Sequence, residues 1–109
     1  MGMKNRKLDS LDEKLKEIRN EMAAVGPMRP GSLSRQARKA KDSYGAYWHL
    51  SYTLNGKGHT HYVRDEWAEQ IRTEIENYRR FKKLLDRYLA LSIQRSQEWL
   101  ELMKLDRAK

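Results

Sequence analysis

Five cations fall within thirteen residues of this chain, Arg29, Arg35, Arg38, Lys39 and Lys41, and Asp42 is the one acid beside them. Guanidinium forks suit two-pronged contacts to phosphate or guanine, and ammonium groups act as point charges on a phosphate backbone. The stretch that follows, AYWHLSYTLNGKGHTHYV, interleaves aromatic rings, hydroxyls and imidazoles and is flanked by Arg64. Tyr47, His49, Thr53 and Thr60 can donate to or accept from base edges, and Tyr47 or Tyr62 can stack on unpaired bases. The candidate nucleic-acid-binding set is therefore Arg29, Arg35, Arg38, Lys39, Lys41, Tyr47, His49, Thr53, Lys57, Thr60 and Arg64. The competing reading of the basic run is a solvated loop. Against that stands its position beside the aromatic stretch, with Gly26 to Gly31 free to let it swing as an arm that tracks phosphates.

Other chemistry has less to work with. His59 and His61 lie two apart, so on a strand they point the same way, but the chain has three histidines, no cysteine and no carboxylate in this stretch before Asp65. A metal needs more ligands than that, so no cofactor is expected. If those imidazoles lie near phosphate, acidification below the ordinary imidazole range of about 6.5 should strengthen binding. Catalysis would want clustered carboxylates, a Ser/His/Asp set or a phosphate-cradling glycine loop, and the one acid between residues 26 and 64 is Asp42. No enzyme is expected.

Charge points the same way as the motifs. The 109 residues carry a formal net charge of +8. Residues 26–64 hold seven Lys/Arg against one acid, whereas residues 1–25 hold six against five and residues 65–109 ten against nine. Such concentration beside aromatics and hydroxyls prepares a surface for a polyanion rather than for solubility alone. With 39% hydrophobic residues the chain can bury a modest core, part of which a second copy could supply. No stretch approaches the roughly 18 apolar residues of a membrane span, and the basic N-terminus leads into charges rather than an apolar signal segment. A cytoplasmic protein is expected.

The elements that must position these residues can be read from periodicity. Leu8, Leu11, Leu15, Ile18, Met22 and Val25 recur every three or four residues, which predicts a first helix within residues 1–25. Ser10 and Glu13 have capping-box spacing and place its regular turns from Leu11 to Ala24. Gly26, Pro27, Pro30 and Gly31 end it. Residues 26–45 read as a basic arm or loop, with 33–41 either a short helix capped by Ser34 or an extended segment. Residues 46–63 read as a β-hairpin: Trp48, Leu50, Tyr52 and Leu54 alternate with Tyr47, His49, Ser51 and Thr53, and Asn55-Gly56 supplies a type I′ turn. That turn pairs Leu54 with Lys57, Tyr52 with His59, Leu50 with His61 and Trp48 with Val63 on one face, and leaves Tyr47, His49, Ser51, Thr53, Thr60 and Tyr62 on the other. Trp48 and Tyr52 are expected in the core.

From Asp65, an expected N-cap, a long helix is predicted over residues 65–107, with Trp67, Ile71, Ile75, Tyr78, Phe81, Leu85, Tyr88 and Leu89 as its buried stripe. Ser92 and Arg95 interrupt the stripe, so the helix either breaks near residues 92–96 or continues into an intermolecular contact. The fold class expected is α+β in a single domain: N-terminal helix, basic arm, a two- or three-stranded antiparallel sheet and a long C-terminal helix. The helices should form the core and a homodimer. Lys14 and Arg19 would repel in a parallel pair, so an antiparallel or four-helix arrangement is expected.

The runs GSLSRQARKA, GAYWHLSYTLNGKGHTHYV and ENYRRFKKLLD, between residues 26 and 92, resemble a domain-of-unknown-function family of small prokaryotic proteins that often sit near mobile elements. The core of the likeness is Gly45, Tyr47, Trp48, Leu50, Ser51, Tyr52, Asn55, Gly56 and Lys57. Members often carry a short cysteine-rich stretch where this chain has Ala40, Lys41, Asp42 and Ser43, so no metal role carries over. The hairpin followed by a helix is also similar in shape to the arm-binding domains of tyrosine integrases, which insert a small sheet into a DNA groove; no integrase catalytic segment is present. Together these readings lead to a nucleic-acid-binding protein, double-stranded DNA before RNA, and the resemblance implies a role accessory to a mobile element. The alternative from another class is a helical adaptor with an acidic protein partner, docking through its C-terminal helix.

Overall fold

Most elements of the computed structural model follow from local rules in the sequence, and the structure describes residues 5–36 and 47–108. The order is α1 (Arg6–Ala23), β1 (Ser32–Gln36), β2 (Tyr47–Leu54), β3 (Lys57–Arg64) and α2 (Asp65–Ala108), an α+β arrangement. The strands form one antiparallel sheet in the order β1-β2-β3. Two compact units result: residues 26–80, and the two chain ends up to residue 25 and from residue 81.

In the unit of residues 26–80, the hairpin has the register the sequence predicts, Leu54 opposite Lys57 through Trp48 opposite Val63. Asn55 (φ 53°) and Gly56 (φ 78°) supply the two positive angles of the turn. Residues 32–36, read from sequence as helix or arm, are the edge strand of the sheet, with Leu33 opposite Leu50 and Arg35 opposite Trp48. Gly31 makes that pairing possible. Its φ is 140°, and a Cβ there would lie 2.9 Å from Leu50 Cδ1 and 3.1 Å from the Ser51 carbonyl oxygen. One face of the sheet packs on α2: Leu50, Val63 and Ile75 are buried together, and Leu33, Trp48, Tyr52 and Ile71 pack around them. Burying each such side chain contributes on the order of 1.5–3 kcal/mol. Trp48 and Tyr52 thus belong to the packed face, as expected.

The segment leading into β1 is tied down rather than left to swing. The Arg29 N–H donates to the Glu74 carbonyl at 3.1 Å, and the Asn77 side-chain amide donates to the Pro27 carbonyl at 2.9 Å. Proline supplies only an acceptor, and α2 provides its donor.

In the other unit, α1 starts earlier than its capping-box signal. Asn5 is the N-cap, its Oδ1 accepting from the Lys7 and Leu8 amides at 2.9 and 3.1 Å, so Ser10 lies inside the helix. Leu11, Leu15 and Ile18 are buried along the expected stripe, and Leu84 of α2 is buried in the same unit. Three polar contacts run antiparallel: Lys7 to Glu98 at 2.8 Å, Arg95 to Asp12, and Arg19 to the Tyr88 hydroxyl at 3.0 Å. The Asp12 carboxylate hydrogen-bonds the Arg95 guanidinium and attracts its charge, raising the pKa above the ordinary arginine value.

Helix α2 runs without interruption through Ala108, so no break occurs at residues 92–96. The polar residue that interrupts its apolar stripe there, Arg95, is used to pair with Asp12 of α1. Asp65 is the first helical residue, and its carboxylate accepts the Trp48 indole N–H at 2.8 Å. Trp67 and Leu89, expected in the buried stripe, are exposed, and Ala68 and Leu84 are buried instead. Among the described residues no helix is long and apolar enough to cross a membrane.

Candidate nucleic-acid interface

Because side chains alternate across a strand, the residues opposite the packed face line up in rows across all three strands. Ser32, Ser51 and Thr60 form one row, Ser34, His49 and Tyr62 a second, and Tyr47 and Arg64 a third; Thr53 lies opposite Gly58 nearer the turn. Seven of these residues carry hydroxyls. Ser32, Ser34, Ser51, Thr53, Thr60, Tyr62 and Arg64 are exposed, and Tyr47 and His49 are half-buried. The face is therefore polar and open along most of its length.

Its aromatic residues hold one another in place. The His49 ring meets Tyr62 edge-on, with centroids 4.8 Å apart at 73°, and Tyr47 lies 6.1 Å from Tyr62 at 60°. Such pairs contribute about 0.5–1.5 kcal/mol beyond area burial and restrict the rings to few rotamers. At the end of this face Arg64 approaches the Glu66 carboxylate at 3.4 Å, and its guanidinium carbon lies 5.2 Å from the centre of the exposed Trp67 ring.

The fold sorts the predicted site residues into three groups. Tyr47, His49, Thr53, Thr60 and Arg64 come together on the open face. Arg29, Arg35 and Lys57 do not. Arg35 shares the packed-face register with Trp48, whose ring also receives Arg72, the guanidinium carbons lying 5.9 and 5.0 Å from its centre. Arg29 lies 4.7 Å over Tyr52, and Lys57 sits at the turn in the packed-face register. Arg38, Lys39 and Lys41 fall outside the described residues; in sequence they join β1 to β2. Ser32, Ser34, Ser51 and Tyr62 complete the face and were not in the predicted binding set. The alternation Ser-Leu-Ser-Arg over residues 32–35 was the signal for the first two.

The paired histidines lie on the packed-face side near the turn. Tyr52 stacks on His59 at 5.0 Å and on His61 at 5.6 Å, and the Tyr52 hydroxyl and His61 Nε2 are 3.1 Å apart. Among the described residues no group of three or more His, Cys, Asp or Glu side chains could hold a metal ion.

The fold is an α+β module, a small antiparallel sheet with one face packed on a helix and the other open. The chain belongs to the family described as Domain of unknown function (DUF6788), which matches residues 5–73 and so takes in α1, the sheet and the first turns of α2. That match begins before the likeness read from the sequence and ends earlier. No curated protein and no solved structure is detectably similar to the chain.

Proposed function

We propose that this protein binds nucleic acid, double-stranded DNA in the first place, through the open face of its sheet. The observation that carries the reading is that face itself: seven hydroxyl-bearing residues and one imidazole, all but Thr53 in three ordered rows, on the part of the chain that holds most of its net positive charge. Outer strands of a three-stranded sheet lie about 10 Å apart, which fits a major groove about 12 Å wide. Hydroxyls both donate and accept, so Ser34, Ser51, Thr53 and Thr60 suit base edges, and Tyr47, His49 and Tyr62 form the ridge between them. Arg64 on the face, with Arg38, Lys39 and Lys41 in the connection before β2, supplies phosphate contacts. Arg29 and Arg35 are engaged with Tyr52 and Trp48 and have the smaller part in this reading.

Fluorescence anisotropy with a random duplex across a salt series tests it. Each phosphate contact contributes about 0.9 to the slope of log affinity against log salt. Replacing Arg38, Lys39 and Lys41 by Ala together should lower that slope by about 2–3. Absent or salt-insensitive binding to duplex would reject the proposal, and equal binding to RNA or single strands would move it to another nucleic acid. The adaptor reading draws on one observation, the exposed apolar row on the C-terminal half of α2. It requires an acidic polypeptide to outcompete duplex.

A further inference from the structure

Beyond Arg80, α2 carries two rows of side chains at coiled-coil spacing, and α1 engages one of them. Tyr88, Arg95 and Glu98 contact α1, on the side of the buried Leu84. On the other side Leu89, Ile93, Leu100 and Met103 are 50%, 61%, 41% and 43% exposed. With Ser96 between them, these residues follow one another by four, three, four and three positions, which keeps them on one stripe at a period of 3.5. Scattered exposed aliphatics are ordinary, whereas a continuous row of them marks a contact surface. One heptad before Ile93 stands Asp86, and one heptad after Leu100 stands Arg107. Both are exposed, and neither has an ion-pair partner among the described residues.

We propose that this stripe is a homodimer seam in which the C-terminal halves of α2 from two copies pack antiparallel, with Ile93 opposite Leu100 and Leu89 opposite Met103. The occupant follows from the stripe's own symmetry. Read from either end it runs through two aliphatic positions, the small Ser96, and two aliphatic positions more, and it is bracketed by charges of opposite sign. A parallel pair would set Asp86 against Asp86 and Arg107 against Arg107, like charges at matching positions. An antiparallel pair brings the acidic end of one stripe to the basic end of the other, and it sets the helix dipoles in opposition. The two-fold axis then passes near Ser96, whose small side chain lets the two helices approach closely. This seam stands independently of what the sheet binds. Its consequence for a nucleic-acid partner is that one assembly carries two sheets, so the second engagement becomes intramolecular.

Sedimentation of the full chain from about 1 to 100 µM, the range that covers ordinary weak to moderate dimers, should show a species of twice the 13.0 kDa chain mass. The double variant Ile93→Asp/Leu100→Asp changes exposed positions, so helix content and melting should persist while association weakens by about 30-fold or more. Orientation can be read separately because the chain has no cysteine. Under mild oxidation an equimolar mixture of Ile93→Cys and Leu100→Cys chains should cross-link more than either variant alone, since a disulfide needs Cα atoms within about 7 Å. A monomer throughout the range, an unchanged mass for the folded double variant, or Ile93→Cys linking preferentially to itself would each overturn the proposal.

Discussion

Tyr62 and Leu54 stand on opposite faces of the same hairpin, and substituting each in turn separates stability from binding. Tyr62 is 65% exposed and Leu54 54% exposed, so neither contributes much buried area. Tyr62→Ala gives up its edge contact with His49 and its tilted contact with Tyr47, a loss of about 1 kcal/mol or less for an exposed aromatic pair. On the open face, by contrast, Tyr62 sits in the central row beside His49 and Ser34. A tyrosine that stacks on a base or braces its neighbours against a groove is worth about 1–3 kcal/mol of binding, or roughly 5- to 150-fold in affinity. Leu54→Ser removes a comparably exposed side chain from the packed-face register and should leave affinity within about 2-fold. The assay is duplex binding by anisotropy at fixed low salt, with melting temperatures recorded on the same samples. A Tyr62→Ala protein that binds like the parent, or a Leu54→Ser protein that loses as much, would refute the assignment of the open face.

Two further substitutions probe how the face is held. Gly31→Ala forces a Cβ against Leu50 and the Ser51 carbonyl at a backbone angle that side chains avoid, so it should destabilise the sheet unit by about 1–3 kcal/mol; β1 should then exchange its amides faster than β3, and hydrogen exchange that stays uniform across the sheet would count against the role given to Gly31. Asn5→Ala removes the acceptor of the Lys7 and Leu8 amides and should cost about 1 kcal/mol, read by urea denaturation, whereas Ser10→Ala should cost less than half of that.

The hairpin was fully legible in the sequence because its signals are local. Asn55-Gly56 fixes the turn, and strict alternation on both sides fixes the register, so the pairing from Leu54–Lys57 to Trp48–Val63 and the membership of both faces could be written down beforehand. The stripe of α1 was legible for the same reason, but its start was not. Ser10-x-x-Glu13 imitates a cap, and Leu8, one turn earlier, already belongs to the apolar row that Asn5 opens. Strand β1 was harder to read because its segment holds helix formers, and its partner residues lie fifteen or so positions further along the chain. Trp67 was misplaced by simple periodicity. The helix presents the small Ala68 to the interior instead, turning the larger ring outward beside Arg64. Of the predicted binding residues, those on the hairpin's outer face were found together, whereas Arg29 and Arg35 were assigned by charge alone, and the fold engages both with rings near the packed face.

The central claim is that duplex DNA lies on the open face of the sheet, and an NMR titration of isotopically labelled protein with a short duplex tests it residue by residue. The expected result is a set of shifted amides in Ser34, His49, Ser51, Thr60, Tyr62 and Arg64, fading with added salt, while the buried positions Leu11, Leu15 and Ile18 of α1 stay unmoved. Shifts confined to α2, or none at low salt, would contradict it.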